Sequence, residues 1–456
     1  MQDTIAAIAT GGGISAIGIV RISGDDAIVA AGKIFRPASG ISITEAKDRQ
    51  MYYGELLDTE GATIDLCLCA ISRSPASYTG EDTVEFHCHG SPVVLAETLA
   101  ALFRNGVRQA TAGEFTKRAF LNGRMDLTQA EAVIDLIESE TTAAARNAAG
   151  QLRGAIGAEL ESVYSMLLDI MAHFHAYIDY PDEDIDDFEM HTHLQALIEA
   201  REKLLKMLST HSRGRVLRDG IPTAIIGRPN TGKSSLLNVL LGYERAIVTD
   251  TPGTTRDTVE EKALLGGLLL RLIDTAGIRK TEERVERLGV MRTLDAVEHS
   301  GLVLLVLDGS EPLCEEDYDA LRSIPDSIPK IAVVNKSDLP HILDDVALSA
   351  LGIDYCRVCA LTGDGFESLE REIKKAFPSH ASPLEGEIIT NARQAEAISN
   401  AADCVNSAVD AISVSVTPDA VLTEVEAALS AIGDITGKNM KEDIIARIFE
   451  RFCVGK

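Results

Sequence analysis

Between the apolar run Ala224–Ile226 and the helical pattern SSLLNVLLG lies Gly227-Arg228-Pro229-Asn230-Thr231-Gly232-Lys233-Ser234. It matches GxxxxGKS in the context that motif needs, after a strand and at the start of a helix. The glycines let the backbone curl so that its N–H groups face phosphate oxygens at the positive end of the helix. Lys233 adds a point charge for the β and γ phosphates, and Ser234 suits Mg²⁺. A chain with this loop is committed to a parallel α/β domain around it.

Three further segments follow in order. Thr249-Asp250-Thr251-Pro252-Gly253-Thr254-Thr255 places threonine hydroxyls where one can complete a Mg²⁺ shell. Asp274-Thr275-Ala276-Gly277 ends the apolar run Leu268–Ile273. There a carboxylate can hold Mg²⁺ through water, and a glycine N–H can sense the γ-phosphate. Asn335-Lys336-Ser337-Asp338 ends Ile331–Val334. A carboxylate here accepts from the two N–H groups of the guanine edge, which adenine lacks, so ATP is disfavoured. Order and spacing resemble the translation-factor-like class of small GTPases. Ras-like GTPases put a water-orienting Gln after the second segment. Here that place holds Ile278, which orients nothing.

The 456 residues predict two to four domains at roughly 150 residues each. The hydrophobic share of 45% is enough for more than one core and excludes a wholly disordered chain. With 43 Lys+Arg against 70 Asp+Glu, the net charge of −27 repels phosphate backbones. A protein that grips nucleic acid alone usually carries a basic patch, and no long basic run is present. Service to RNA therefore calls for a basic partner; the plain alternative is acidity for solubility. No window of about 20 residues is continuously apolar, so no membrane span is expected. MQDTIAAIATGGG does not read as a signal peptide. Eight scattered cysteines fit reduced cytosolic thiols better than a disulfide framework.

Residues 1 to about 120 alternate short apolar runs (IGIVRI, IDLCLCAI) with turn residues and predict an α+β domain. From about 125 to 215 the pattern is helical, with Thr128 and Glu131 at capping-box spacing and a second helix over Leu152–Ile178. The acidic segment 181–189 reads as a solvated loop and cap, with metal binding the minor alternative. After the α/β block, helices are expected over Ala392–Ile412, Ala420–Ile432 and Lys441–Phe452. Helical material on both sides suggests a block inserted into a helical domain. The expected divisions are 1–121, 122–217, 218–380 and 381–456. The expected fold class is multidomain α/β: an α+β N-terminal domain and an all-α domain interrupted by a Ras-like P-loop domain.

These motifs, with DTIAAIAT, GIVRISG, YTGEDTVEFHCHG, GEFTKRAFLNGRMDLTQAEAV and the terminal Phe452-Cys453-Val454-Gly455-Lys456, resemble the MnmE (TrmE) family of tRNA-modification GTPases over nearly the whole chain. The resemblance implies an N-terminal domain that binds folate and forms a homodimer, and a cytoplasmic enzyme. It implies an FAD-bearing partner, MnmG, in a heterotetramer or larger complex, with tRNA held mainly by the partner. The implied product is an aminomethyl or carboxymethylaminomethyl group on C5 of the wobble uridine. The one-carbon unit would come from 5-formyltetrahydrofolate or methylenetetrahydrofolate, and GTP hydrolysis would be potassium-stimulated.

By matching motif, GTP would contact Asn230, Thr231, Gly232, Lys233, Ser234, Ser235, the 249–255 and 274–277 segments, Asn335, Lys336, Asp338, Cys359, Ala360 and Leu361. Asn230, Thr249, Thr251 and Thr254 would surround K⁺; Ser234 and Thr255 would bind Mg²⁺. Glu286 would position the attacking water; a solvated helix carboxylate is the bland alternative. Arg21, Glu85, Arg124 and Lys456 match folate positions, where Glu85 suits the aminopterin edge and the cations suit carboxylates and carbonyls. Many members carry Lys at Arg124, and Ser-Ala-Lys where this chain has Cys359-Ala360-Leu361. The Ala360 N–H is still expected to reach the guanine oxygen.

Cys356 and Cys359 form C-x-x-C without a second pair and read as buried thiols. His87 and His89 share a strand face, but two further zinc ligands are not evident. Cys453 lies beside Arg451 and Lys456, where cations favour a thiolate. The family resemblance places it near the modification chemistry, as a candidate catalytic residue, with a structural role the alternative. Two other readings are a GTP-switched ribosome-assembly factor and a folate-dependent one-carbon transferase needing no GTP. The first lacks a basic RNA-binding module; the second leaves the GTPase motifs without a purpose.

Overall fold

The structure, a computed structural model, describes residues 3–179, 187–243, 261–273, 296–377, 386–414 and 417–455. Two compact units are present, each assembled from separated stretches of chain. One comprises residues 1–134, 151–203 and 397–456; the other comprises 135–150 and 204–396.

The first unit contains a seven-stranded sheet of β1 (Ile5–Ile8), β2 (Ser15–Ser23), β3 (Phe35–Pro37), β4 (Met51–Leu57), β5 (Thr63–Ser72), β6 (Thr83–Gly90) and β7 (Arg108–Gln109). The order is β3-β4-β5-β6-β2-β1-β7, antiparallel except that β1 and β7 run parallel. Alternation along the strands sends Val20, Ile22, Cys67, Cys69, Ile71, Val84, Phe86 and Cys88 into one core, covered by helices Ala27–Ile34 and Pro92–Arg104. Gly18 lies so close to the second of these helices that a Cβ there would sit 2.6 Å from Leu95. The opposite parity places Arg21, Glu85, His87 and His89 on the other face. Burial pushes the Cys69 thiol well above its usual range, so these core cysteines act as small hydrophobes.

In the same unit, helix Pro418–Thr436 packs on Ala155–Asp179. Helix Glu442–Phe449 buries Ile445 and Phe449 against Leu127, Ala130 and Val133. The helix beginning at Leu127 is capped differently from the sequence expectation. Asp126, not Thr128, accepts from the Gln129 N–H, and Gln129 returns its carbonyl to the Asp126 N–H, both at 2.9 Å. Thr128 and Glu131 lie inside the helix. Asp126 wins because its short carboxylate is an equally good cap and leaves Thr128, whose hydroxyl bonds Asp126, inside the first turn.

The second unit holds β8 (Ile221–Ile226), β9 (Glu261–Leu265), β10 (Leu268–Leu272), β11 (Leu302–Asp308), β12 (Lys330–Asn335) and β13 (Asp354–Arg357), in the order β13-β12-β11-β8-β10-β9. All pairings are parallel except β9 with β10. That hairpin turns on Gly266 and Gly267, both with positive φ, as a two-residue turn of matching twist requires. Leu302, Leu304 and Val306 enter one core while Val303, Leu305 and Leu307 enter the core on the other face. A sheet buried on both sides explains why these strands read as unbroken apolar runs.

The acidic residues 181–186 lie outside the described residues. Among the described residues no helix is long and apolar enough to cross a membrane.

Candidate functional site: a phosphate loop and its base-side partners

Parallel strands β8, β11 and β12 end at the same side of their sheet, and the motif residues begin where they stop. After β8, Gly227, Asn230 and Gly232 take positive φ (144, 64 and 96°). A Cβ on Gly227 would lie 2.4 Å from the Val306 carbonyl oxygen, and one on Gly232 2.1 Å from Asn335 Nδ2. Only glycine fits at either place. The helix Lys233–Tyr243 starts directly behind, with its first N–H groups available to an anion. Lys233 donates from Nζ to the carbonyls of Gly227 (2.8 Å) and Arg228 (2.7 Å), which closes the loop on itself. Burial holds its pKa below the usual lysine range. Asn230, Ser234 and Ser235 are exposed at the mouth, whereas Thr231 is buried and donates to the Arg228 carbonyl at 3.0 Å.

Asn335 joins the two halves. Its Nδ2 donates to the Thr231 carbonyl and its Oδ1 accepts from the Ala360 N–H, both at 2.9 Å. The Ala360 N–H, expected to face a guanine oxygen, is thus engaged by Asn335 in this structure. Cys359, buried, donates its thiol to Asp338 Oδ1 at 3.2 Å. Leu361 is exposed beside it. Lys336, at φ 63°, donates to Asp308. Arg228 is held by Glu311 at 2.7 Å and Asp317 at 3.3 Å. Sequence reasoning missed Asp308, Glu311 and Asp317, because no motif spacing marks them. Cys356 lies buried on β13, its thiol pushed up to about 12 by burial. The residues from Thr249 to Thr255, from Asp274 to Gly277, and Glu286 lie outside the described residues, so of the expected K⁺ ligands only Asn230 is described, and of the Mg²⁺ ligands only Ser234.

In the first unit, Arg21 and Glu85 face each other across β2 and β6 and pair at 2.7 Å. The Arg21 guanidinium lies 5.4 Å from the Tyr78 ring and 5.6 Å from the Phe115 ring. Arg124 packs its stem by Gly80, where a Cβ would be 3.2 Å from its Cγ, at a cleft of about 650 Å³ lined by Ser74, Glu81, Asp82 and Asn122 among others. Sequence reasoning gave no role to Tyr78, whose ring is partly exposed, or to Phe115, which is fully buried beneath Arg21 in the core. The C-terminal end reaches the same domain. Val454 bridges Ala112, Gly113 donates to the Cys453 carbonyl at 3.2 Å, and a Cβ on Gly455 would lie 2.1 Å from the Ile8 oxygen. Cys453 is exposed; Lys456 lies outside the described residues. His89 pairs with Asp65 at 2.7 Å and His87 lies 3.6 Å from Glu85. Among the described residues no cluster of three or more such side chains is placed for a metal.

A phosphate loop between β8 and a helix, with an Asn-Lys-x-Asp segment at the end of another parallel strand of the same sheet, defines a P-loop GTPase. The matches extend well beyond that domain. The family model described as GTP-binding protein TrmE N-terminus covers residues 4–124, and that of the MnmE helical domain covers 127–453. The chain is 44% identical to the tRNA modification GTPase MnmE of Thermoanaerobacter pseudethanolicus, over 100% of this chain and 99% of that one. It is 40% identical to that of Natranaerobius thermophilus and 39% to that of Clostridioides difficile, each over 100% of both chains. The chain belongs to the MnmE family of tRNA modification GTPases.

Proposed function

We propose that this GTPase serves modification of the wobble uridine of certain tRNAs, adding an aminomethyl or carboxymethylaminomethyl group at C5. The observation that carries the reading is the join made by Asn335. One side chain ties the phosphate loop to the 359–361 loop, as a guanine-nucleotide site requires, in a chain similar end to end to tRNA modification GTPases. Lys233 and the loop N–H groups neutralise phosphate, Ser234 offers a hydroxyl to Mg²⁺, and Asp338 accepts from the guanine edge. Asn230 is exposed at the loop mouth, where its side-chain carbonyl is free to serve as a ligand of K⁺. A monovalent cation there supplies the positive charge that an arginine finger gives elsewhere. Thr249, Thr251, Thr254, Thr255 and Glu286 complete the expected set.

Arg21, Glu85, Arg124 and Lys456 form the proposed folate site in the N-terminal domain. Tyr78 and Phe115 support it by flanking Arg21. The docking of residues 453–455 against that domain brings Cys453 beside it, which supports a role for the thiol in the one-carbon chemistry. The −27 charge favours a basic partner as the tRNA holder. By the family resemblance that partner is the FAD-bearing MnmG, and this protein acts as a cytoplasmic homodimer.

Nucleoside mass spectrometry of bulk tRNA from cells with and without the gene tests the reading. Loss of C5-aminomethyl-type uridines is expected; an unchanged profile ends it. GTP hydrolysis by the pure protein is expected to be faster in KCl than in NaCl at equal ionic strength, and Asn230→Ala to remove that difference. Equal rates in both salts with folded protein would sink the potassium assignment.

A further inference from the structure

Four residues after the main body of β11, Asp308-Gly309-Ser310-Glu311, touch both halves of the nucleotide site, yet no nucleotide-binding motif includes them. Asp308 closes β11 in register with Asn335, which closes β12. It is buried, at 5% exposure. One carboxylate oxygen accepts from Lys336 Nζ at 2.5 Å; the other accepts from the Ser310 N–H at 3.0 Å and hydroxyl at 2.6 Å. Gly309 donates to the Asn335 carbonyl at 2.9 Å, and Glu311 holds Arg228 of the phosphate loop.

Lys336 needs such support. It has a positive φ, a left-handed conformation that is strained for a residue with a Cβ. Its four-carbon stem is flexible, and a loop that must order itself when a ligand arrives binds more weakly than one already ordered. A buried carboxylate that receives three hydrogen bonds is fixed in place, so its grip on the ammonium fixes the lysine too.

We propose that Asp308 is a positioning residue for guanine-nucleotide binding, holding Lys336 and with it the Asn335–Asp338 segment in the binding conformation. Asp308 acts through Lys336 and not on the nucleotide. The inference rests on the GTP-site reading above and adds to it a residue outside the motifs.

The test is a double-mutant cycle on the full chain, read as affinity for a fluorescent GDP. Asp308→Asn keeps the shape and an acceptor for Ser310 but loses the charge. It is expected to weaken GDP roughly 10-fold. Lys336→Met is expected to weaken it at least as much. The double variant is expected to lie within about twofold of Lys336→Met, because the carboxylate then has nothing to hold. Losses that multiply, or wild-type affinity in Asp308→Asn, overturn the proposal. If Asp308→Asn does not fold, melting temperatures decide. Lys336→Met strands a buried carboxylate, so adding Asp308→Asn to it should raise Tm, and a fall overturns the pairing. A wild-type chain that binds ADP as well as GDP would remove the GTP-site reading itself, and this inference with it.

Discussion

The phosphate loop and the ion network of the N-terminal domain satisfy their buried polar groups by different means. Around the loop most partners are uncharged: carbonyls under Lys233 and the two-sided side-chain amide of Asn335, with only Arg228 held by carboxylates. In the N-terminal network they are charged side chains from distant parts of the chain. Arg118 is buried and binds Asp3 at 2.8 Å, Glu81 at 3.1 Å and Glu114 at 3.1 Å, while Arg108 binds Asp3 and Glu114 at 2.6 Å. Ser23 donates to Glu81 at 2.7 Å. The first arrangement leaves the first N–H groups of the helix Lys233–Tyr243 for an anion and so builds a site. The second consumes its donors and so builds a joint between β1, β2 and the helix Glu114–Leu121.

Cutting the joint should cost more than any single change at the loop. Arg118→Met leaves Glu81 buried without its cation and is expected to destabilise the protein by about 3–5 kcal/mol in chemical denaturation. A loss below 1 kcal/mol would mean that water replaces the guanidinium and that the network is not a closed one.

Gly232→Ala attacks the loop by shape alone. The added methyl meets Asn335 and takes a φ of 96°, costs that together amount to about 2–4 kcal/mol. Affinity for GDP should fall roughly 30- to 1000-fold, as measured by fluorescent nucleotide titration. Retained affinity would show that the Asn335 bridge is not needed for binding.

Acid should separate the two regions. Burial alone would raise the Glu114 pKa, but bonds from Arg108, the Thr111 N–H and Arg118 outweigh it and hold the carboxyl at about 2, below its ordinary 4.5. A depressed carboxyl stabilises the fold fully above pH 4.5, and that stability is lost as pH falls from 4.5 toward 2. Glu114→Gln should therefore cost about 1–2 kcal/mol at pH 7, with the gap to wild type shrinking across that window. A gap independent of pH would assign the loss to packing.

Smallest is Cys359→Ser. The thiol is a weak donor to Asp338, and a hydroxyl is a better one. GDP should bind about two- to threefold tighter, and weaker binding would mean that sulfur volume, not the hydrogen bond, seats Asp338.

Much of the fold was written locally. The apolar runs Ala224–Ile226, Leu268–Ile273 and Ile331–Val334 fall on the observed β8, β10 and β12 within a few residues. Helices expected over Ala392–Ile412 and Ala420–Ile432 are found over Ala392–Ser413 and Pro418–Thr436. Where two caps lay within two residues of each other, at Asp126 and Thr128, spacing alone chose the wrong one.

Residue order determined the chemistry of the nucleotide site, because a phosphate loop is a short-range object. Its glycines, lysine and serine are neighbours in the chain, and their conformational needs are intrinsic. The partners that hold those pieces are not neighbours. Asn335 reaches Thr231, Asp308 reaches Lys336, Arg118 reaches Asp3 and Glu81, and Gly113 meets Cys453 only after sheets and helices have packed. Such contacts depend on which strands lie side by side. Spacing does not encode that, and only the tertiary structure decides it.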